Sequence, residues 1–270
     1  MQKKSVLTRL MMLLLCLAIS GITSSCDVVG GEKRSCVIVI GDSIFRLYNN
    51  VIPPLQNMLG FTVSRYDVTA SEMNGGMVQN IQSQLKQAIR QLGTGNIRTI
   101  IMDGGGNDFI ISGQITPAAA RREVANAYKA VFDTAAAAGV KNIIVMGYYK
   151  TSTTNAVTDG SEADVENLTL GYARSLGMNT IHFDPSEQAW FKNKIPAQYI
   201  NATDMLRVHP SAAAGRKLAE YLYNAMSKKF SGVVVSDGDP ALDNSGYYSN
   251  YESYINQDYD PIEVDEDGCR

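Results

Sequence analysis

Apolar positions along the chain fall into two alternating patterns. Short, continuous β-branched runs are separated by longer stretches in which apolar residues recur every three or four positions. The first run is Cys36-Val-Ile-Val-Ile40, which ends abruptly in Gly41-Asp42-Ser43. Uninterrupted apolar runs of this length predict strands buried on both faces, as in a parallel sheet. Residues 44–59 have helical spacing broken at Pro53-Pro54, which predicts an interrupted helix. Phe61 to Asp67 alternates as a second strand does, and Thr69 to Gly76 reads as a loop closed by two glycines. From Met77 to Leu92, Val78, Ile81, Leu85, Ile89 and Leu92 mark one face of an amphipathic helix.

The alternation continues. Ile97 to Asp103 predicts a third strand running into Gly104-Gly-Gly-Asn107-Asp108, and Pro117 opens a helix to Ala138 with Gly139 as its C-cap. Asn142 to Met146 is the fourth strand. A polar loop covers 147–160, and a helix from about Glu162 to Leu176 follows. Asn179 to Phe183 is the fifth strand, 184–208 is irregular and holds the single tryptophan, Trp190, and Ser211 to Lys229 is the last helix. Strand–helix alternation of this kind predicts a parallel sheet with helices on both faces, a three-layer α/β/α sandwich.

The ends of the chain do not share this pattern. Lys3, Lys4 and Arg9 precede an apolar stretch from Leu10 to Ile22, and Ser24-Ser25 precede Cys26. This is the plan of an export signal. It resembles a bacterial lipoprotein signal in which Cys26 becomes the lipidated first residue, with Thr23 where that motif prefers Leu. The alternative is an ordinary secretory signal cut nearby. Either way the expected location is outside the cytoplasm, in the cell envelope, and the lipoprotein reading adds a lipid anchor in the membrane. Residues 27–35 are then a tether, 36–230 the folded domain, and 231–270 a tail with ten Asp or Glu and five Tyr. With Cys16 inside the signal and Cys26 at the lipid site, Cys36 and Cys269 remain as a possible disulfide in an oxidising compartment. A net charge of −3 leaves no basic footprint for nucleic acid.

In an open α/β sheet, ligands sit beyond the carboxyl ends of the strands. Sorted by that rule, Ser43, Gly75-Gly76, Gly105 to Asp108 and His209 all fall on one rim. Acyl transfer needs a nucleophile, a base and donors aimed at an oxyanion. Ser43 supplies a hydroxyl at the start of a helix, although Asp42 or Ser43 could instead merely cap that helix. The chain has two histidines. His182 lies within the fifth strand and reads as a structural residue, so His209, just before the last helix, is the candidate base. Gly75, Ser43 and Asn107 are candidate donors, and Asn107 could equally be a turn residue.

Gly41-Asp-Ser43, Gly105-Gly-Asn107-Asp108 and Val208-His209-Pro210 together resemble the conserved blocks of the SGNH, or GDSL, hydrolases, in order and in spacing. The stretch from Gly75 to Leu85 is similar to that family's second block, where a glycine opens a helix. The resemblance spans roughly residues 36–228. It implies a flavodoxin-like sheet of five parallel strands in the order 2-1-3-4-5, and serine ester hydrolysis with no metal or other cofactor. It also implies Ser43 as nucleophile, His209 as base, and Ser43, Gly75 and Asn107 as the oxyanion hole. The family places an Asp three residues before the histidine, where this chain has Leu206; the nearest acid is Asp204. Either Asp204 completes a triad or a Ser–His dyad operates.

The expected activity is that of a serine ester hydrolase working through an acyl-enzyme. A carbohydrate O-acetyl ester or a small ester is favoured as substrate because Tyr148 and Tyr149 in the polar loop suit sugar stacking. A lysophospholipase or thioesterase is the alternative chemistry, and a non-catalytic ligand-binding lipoprotein is the alternative class. A nucleotide site at Gly104-Gly-Gly lacks the accompanying Gly-x-Gly-x-x-Gly or P-loop lysine.

Overall fold

The computed structural model of the chain describes residues 36–73, 75, 78–111, 117–147, 149, 169–183, 185 and 208–226. The signal, tether and tail, together with Cys16, Cys26, Tyr148, Trp190, Asp204, Leu206 and Cys269, lie outside these residues.

Five strands form one parallel sheet in the order β2-β1-β3-β4-β5. They are β1 (Val37–Ile40), β2 (Ser64–Arg65), β3 (Thr99–Met102), β4 (Asn142–Met146) and β5 (Asn179–Phe183). The expected α/β/α architecture and strand order are thus present. All four residues of β1 are fully buried, because the strand has a neighbour on either side and helices on both faces. Each such Val or Ile side chain removed from water contributes about 1.5–3 kcal/mol before entropy is counted.

Strand alternation divides the core in two. Ile38, Ile40, Ile100, Met102, Ile143 and Val145 face one layer, where α3 (Ile81–Leu92), α5 (Pro117–Ala137) and the helical residues 169–175 (α6) pack. Val37, Val39, Ile101, Ile144 and Met146 face the other. There α1 (Ser43–Arg46), α2 (Ile52–Leu59) and α7 (Ala212–Met226) pack. Between β3 and α5 runs a short helix, α4 (Gly106–Ile111).

Three boundaries differ from the sequence expectation. The second strand has only two paired residues rather than seven, yet the backbone keeps following β1. Tyr66 N–H donates to the Val39 carbonyl at 2.8 Å and Val68 N–H to the Gly41 carbonyl at 3.0 Å. Pro53-Pro54 do not break the first helix but stand in the opening turn of α2, where missing N–H groups cost nothing. The break falls earlier, at a 3-10 turn over Leu47–Asn49. The amphipathic helix begins at Ile81, not Met77, because the Asn80 side chain caps it by accepting from Ser83 N–H at 2.9 Å.

Gly215, in α7, packs against the backbone of the 3-10 turn's exit. A Cβ built there would lie 2.2 Å from the Asn50 carbonyl oxygen. Glycine to alanine inside a helix ordinarily stabilises by about 1 kcal/mol. At this position the sign should reverse: Gly215→Ala is expected to lower the thermal midpoint, which differential scanning calorimetry measures directly.

Candidate active site

The candidate site is built outward from the end of β1. Gly41 leaves the sheet with both its backbone polar groups held by one side chain. Its N–H donates to Gln84 Oε1 at 2.8 Å, and its carbonyl accepts from Gln84 Nε2 at 2.9 Å. Asp103, at the end of β3, sits where a Gly41 side chain would go: a Cβ on Gly41 would lie only 1.9 Å from Asp103 Oδ1. That oxygen accepts from Asp42 N–H at 2.8 Å. Glycine is required at 41 by this close approach.

Asp42 is the N-cap of α1, its Oδ1 accepting from Ile44 N–H at 2.8 Å. The capping role therefore falls to Asp42 and leaves Ser43 as the first helical residue. Arg46 N–H closes on the Asp42 carbonyl, and Leu47 N–H on the Ser43 carbonyl. Among the described residues none hydrogen-bonds to the Ser43 amide or hydroxyl. Both are thus available to a ligand at the first turn of a helix, where orphan N–H groups favour negative charge.

Asn107 stands on α4, not in a loop, and its amide is held in place. Nδ2 donates to the Ser71 carbonyl at 2.8 Å and, over a longer 3.3 Å, to Asp42 Oδ2. The Ser71 hydroxyl accepts from Gln84 Nε2 at 2.8 Å and donates to the Gln79 carbonyl. Gly41, Asp42, Asn107, Ser71 and Gln84 so close a ring of hydrogen bonds that joins the ends of β1 and β3 to the loop after β2. Gln84 and Ser71 were not legible as site residues. The signal for Gln84 was a polar residue on the buried stripe of Ile81, Leu85 and Ala88; it is fully buried there.

Gly75 lies in the loop after β2, half-buried. A Cβ there would meet only Glu72 Oε2, at 3.9 Å. Among the described residues no atom demands a glycine at this position. Burial first, and the nearby Asp108 second, push the Glu72 carboxyl above the ordinary carboxylate range. Asp108 is itself held by accepting from Met73 N–H at 2.7 Å.

His209 is 2% exposed and is presented by a short segment before α7. The backbone is tethered on both sides of it. Tyr149 Oη donates to the Val208 carbonyl at 2.7 Å, and Asn50 Nδ2 to the Pro210 carbonyl at 2.7 Å. Tyr48, five residues after Ser43, sets its ring edgewise on the imidazole, with centroids 6.0 Å apart and planes at 70°. The structure thus brings His209 to the segment that Ser43 begins. His182 is elsewhere: in β5 it lies opposite Val145 of β4, whose side chain faces the α3–α5 layer, the opposite side of the sheet from α7.

Tyr149 departs from expectation. It is 5% exposed and belongs to the core beneath α7, where its hydroxyl fixes the His209 segment. It is a structural prop and offers no face to a sugar. Among the described residues the exposed aromatic on this rim is Tyr48. Cys36 is disulfide-bonded; the chain's other three cysteines lie outside the described residues.

No protein-family model matches the sequence, and no curated protein matches it. Solved structures do match in fold. A protein from Streptococcus pneumonia, provisionally described as a platelet activating factor, is 17% identical, with a TM-score of 0.50 over 83% of this chain and 99% of that one. A variant of Axe2, an acetyl-xylooligosaccharide esterase from Geobacillus Stearmophilus, is 15% identical over 69% of this chain and 91% of its own, with a TM-score of 0.50. A carbohydrate esterase family 3 protein from Talaromyces cellulolyticus is 15% identical over 69% and 93%, with a TM-score of 0.51. At these identities the likeness establishes the shared fold.

Two predictions follow from the site's geometry. Gln84→Ala would strand the buried amide of Gly41, at about 1–3 kcal/mol for each buried group left unsatisfied. Chemical denaturation should show that loss. Glu72 has a folded pKa above its unfolded value of about 4.3, so the fold resists its charged form. The stability it allows is complete below pH ~4 and is lost as pH rises through the folded value. Glu72→Gln should therefore raise the thermal midpoint at pH 7 and leave it unchanged at pH 3.5.

Proposed function

We propose that this chain is an exported serine ester hydrolase of the SGNH/GDSL type, working through an acyl-enzyme on acetyl esters of carbohydrates. The observation that carries the reading is the convergence on one rim. An uncommitted Ser43 amide and hydroxyl open α1, an anchored Asn107 amide ends the β3 side, and His209 is held against the turn after α1. The fold shared with an acetyl-xylooligosaccharide esterase and a family 3 carbohydrate esterase supports the substrate class.

In this reading Ser43 Oγ attacks the acyl carbon as His209 takes its proton. The carbonyl oxygen becomes an oxyanion, facing the N–H groups of Ser43 and Gly75 and the Asn107 amide. Both Asn107 Nδ2 hydrogens are engaged; the longer bond, to Asp42 at 3.3 Å, is the one given up to the oxyanion, while the 2.8 Å bond to the Ser71 carbonyl holds the amide. Collapse of the intermediate releases the alcohol, protonated by His209. Water then repeats the sequence on the acyl-enzyme and frees acetate. Asp204 is assigned to the second imidazole nitrogen, fixing the tautomer.

The export assignment is part of the proposal: signal 1–26, lipid on Cys26, and Cys269 as the partner of Cys36. A disulfide at Cys36 supports an oxidising compartment.

Turnover of a chromogenic acetate ester, and of acetylated xylo-oligosaccharides, tests the activity. Ser43→Ala should abolish it and His182→Ala should leave it intact. Asn107→Ala should lower kcat by roughly 10²–10³. Asp204→Asn should lower it by up to ~10⁴ if it orients His209. A well-folded wild-type protein that turns over no member of a broad ester panel would overturn the reading in favour of a ligand-binding protein on the same fold.

A further inference from the structure

Three non-glycine residues have left-handed backbones among the described residues: Tyr48 at φ 60°, Asn49 at φ 54° and Ala70 at φ 63°. All three lie in the loops that follow β1 and β2, around the candidate site. Such conformations persist only where surrounding structure over-determines them, and they gather at functional sites. Tyr48 and Asn49 are consecutive, in the turn that joins α1 to α2.

That turn is gripped from two directions. On one side Arg65 donates through Nη1 to Asn49 Oδ1 at 2.7 Å and through Nη2 to the Phe45 carbonyl at 2.9 Å. Arg65 is itself fixed by a two-point pair with Asp67, at 3.0 and 2.5 Å. On the other side, the Asn50 carbonyl lies against the bare Cα of Gly215, and Asn50 Nδ2 holds the Pro210 carbonyl. The outcome of this bracing is the placement of the Tyr48 ring, edgewise on His209 and 36% exposed at the rim.

We propose that Tyr48 is a positioning residue for His209. The left-handed turn delivers its ring to the imidazole, and the ring limits the imidazole's rotation, which narrows the directions in which its nitrogens can meet a proton donor. The contact is one of ring surfaces, so the phenol oxygen is dispensable. This inference rests on the assignment of His209 as the base, but its structural half can be tested without turnover.

The test uses Tyr48→Ala, Tyr48→Phe and Asn50→Ala in the full-length protein, with NMR of the two histidines, His182→Gln serving to assign the signals. A ring at 6.0 Å imposes a ring-current shift on the His209 Cε1 proton. Tyr48→Ala should abolish that shift and broaden the resonance, while Tyr48→Phe keeps it and His182 does not move. On an acetate ester, Tyr48→Ala should lower kcat by roughly 10–10²-fold with little change in KM, as expected for a displaced catalytic group. Tyr48→Phe should restore the rate, and Asn50→Ala should give a smaller loss of the same kind. A His209 signal indifferent to Tyr48→Ala would overturn the proposal even in an active enzyme. So would a loss confined to KM. Absence of any esterase activity, with the ring-current result intact, would instead overturn the functional assignment and leave the contact standing.

Discussion

Everything at this rim depends on how the chain leaves β1. A buried strand must give up its ladder at its end, and each backbone group released there needs a new partner inside the protein. At Gly41 the primary amide of Gln84 meets that demand, matching N–H to Oε1 and C=O to Nε2. The pairing imitates one more strand residue and lets the sheet end without a buried deficit. It also fixes where Ser43 lies, because Asp42 is then seated on Asp103 and can cap α1. Gln84 belongs to α3 and Asp103 to the end of β3. The position of Ser43 is therefore set by one helical layer and by the neighbouring strand together.

The strand order explains why the site is here. The chain runs outward from β1 to β2, then crosses back to place β3 on β1's other side. Loops leaving β1 and β3 diverge to opposite layers, and a crevice opens between them. Ser43 departs toward the layer of α1 and α7, while Asn107 opens α4 and reaches back to Asp42 and Ser71. The hydrogen-bonded ring spans that crevice. A hydroxyl from one side and an amide from the other can meet a single ligand atom only if this span is held at fixed width. Fully satisfied polar groups in a water-poor setting hold it more firmly than apolar contact does.

Much of this was legible in the sequence, for identifiable reasons. A nearly continuous apolar run gave β4 its observed limits, because the strand has a neighbour on either side and is buried along its whole length. Ser43, Gly75 and Asn107 stood out because each follows a strand, and His209 because it stands just before the last helix. What escaped was of two kinds. Gln84 acts on the Gly41 backbone 43 residues away and the Ser71 carbonyl on the Asn107 side chain 36 residues away, and no local pattern marks such a pairing. Tyr149 looked like a loop aromatic, yet lies under α7, because an isolated aromatic after a strand carries no periodicity to say which way it points. The two-residue β2 was overestimated for a related reason. Its alternation is real, with Val63 and Tyr66 packing on opposite layers, but only Ser64 and Arg65 pair in register with β1.

The histidine side of the crevice is held by a different principle from the serine side. Ser43 is placed by a strand end and a cap, whereas His209 lies just before its helix, outside the five-stranded sheet. Its neighbours Val208 and Pro210 are instead tied by their carbonyls, one to Tyr149 beyond β4 and the other to Asn50 beyond α1. Two tethers flanking one residue define its backbone. The second tether comes from the strained turn, so the same left-handed residues that bring Tyr48 to the ring also anchor the segment beneath it. Left-handed non-glycine residues cost about 1–3 kcal/mol each. Two in succession are sustained here because Arg65 and Gly215 leave the turn no relaxed alternative. The cost is thus borne where it couples the serine's element to the histidine's, making their separation a property of the fold rather than of one flexible loop.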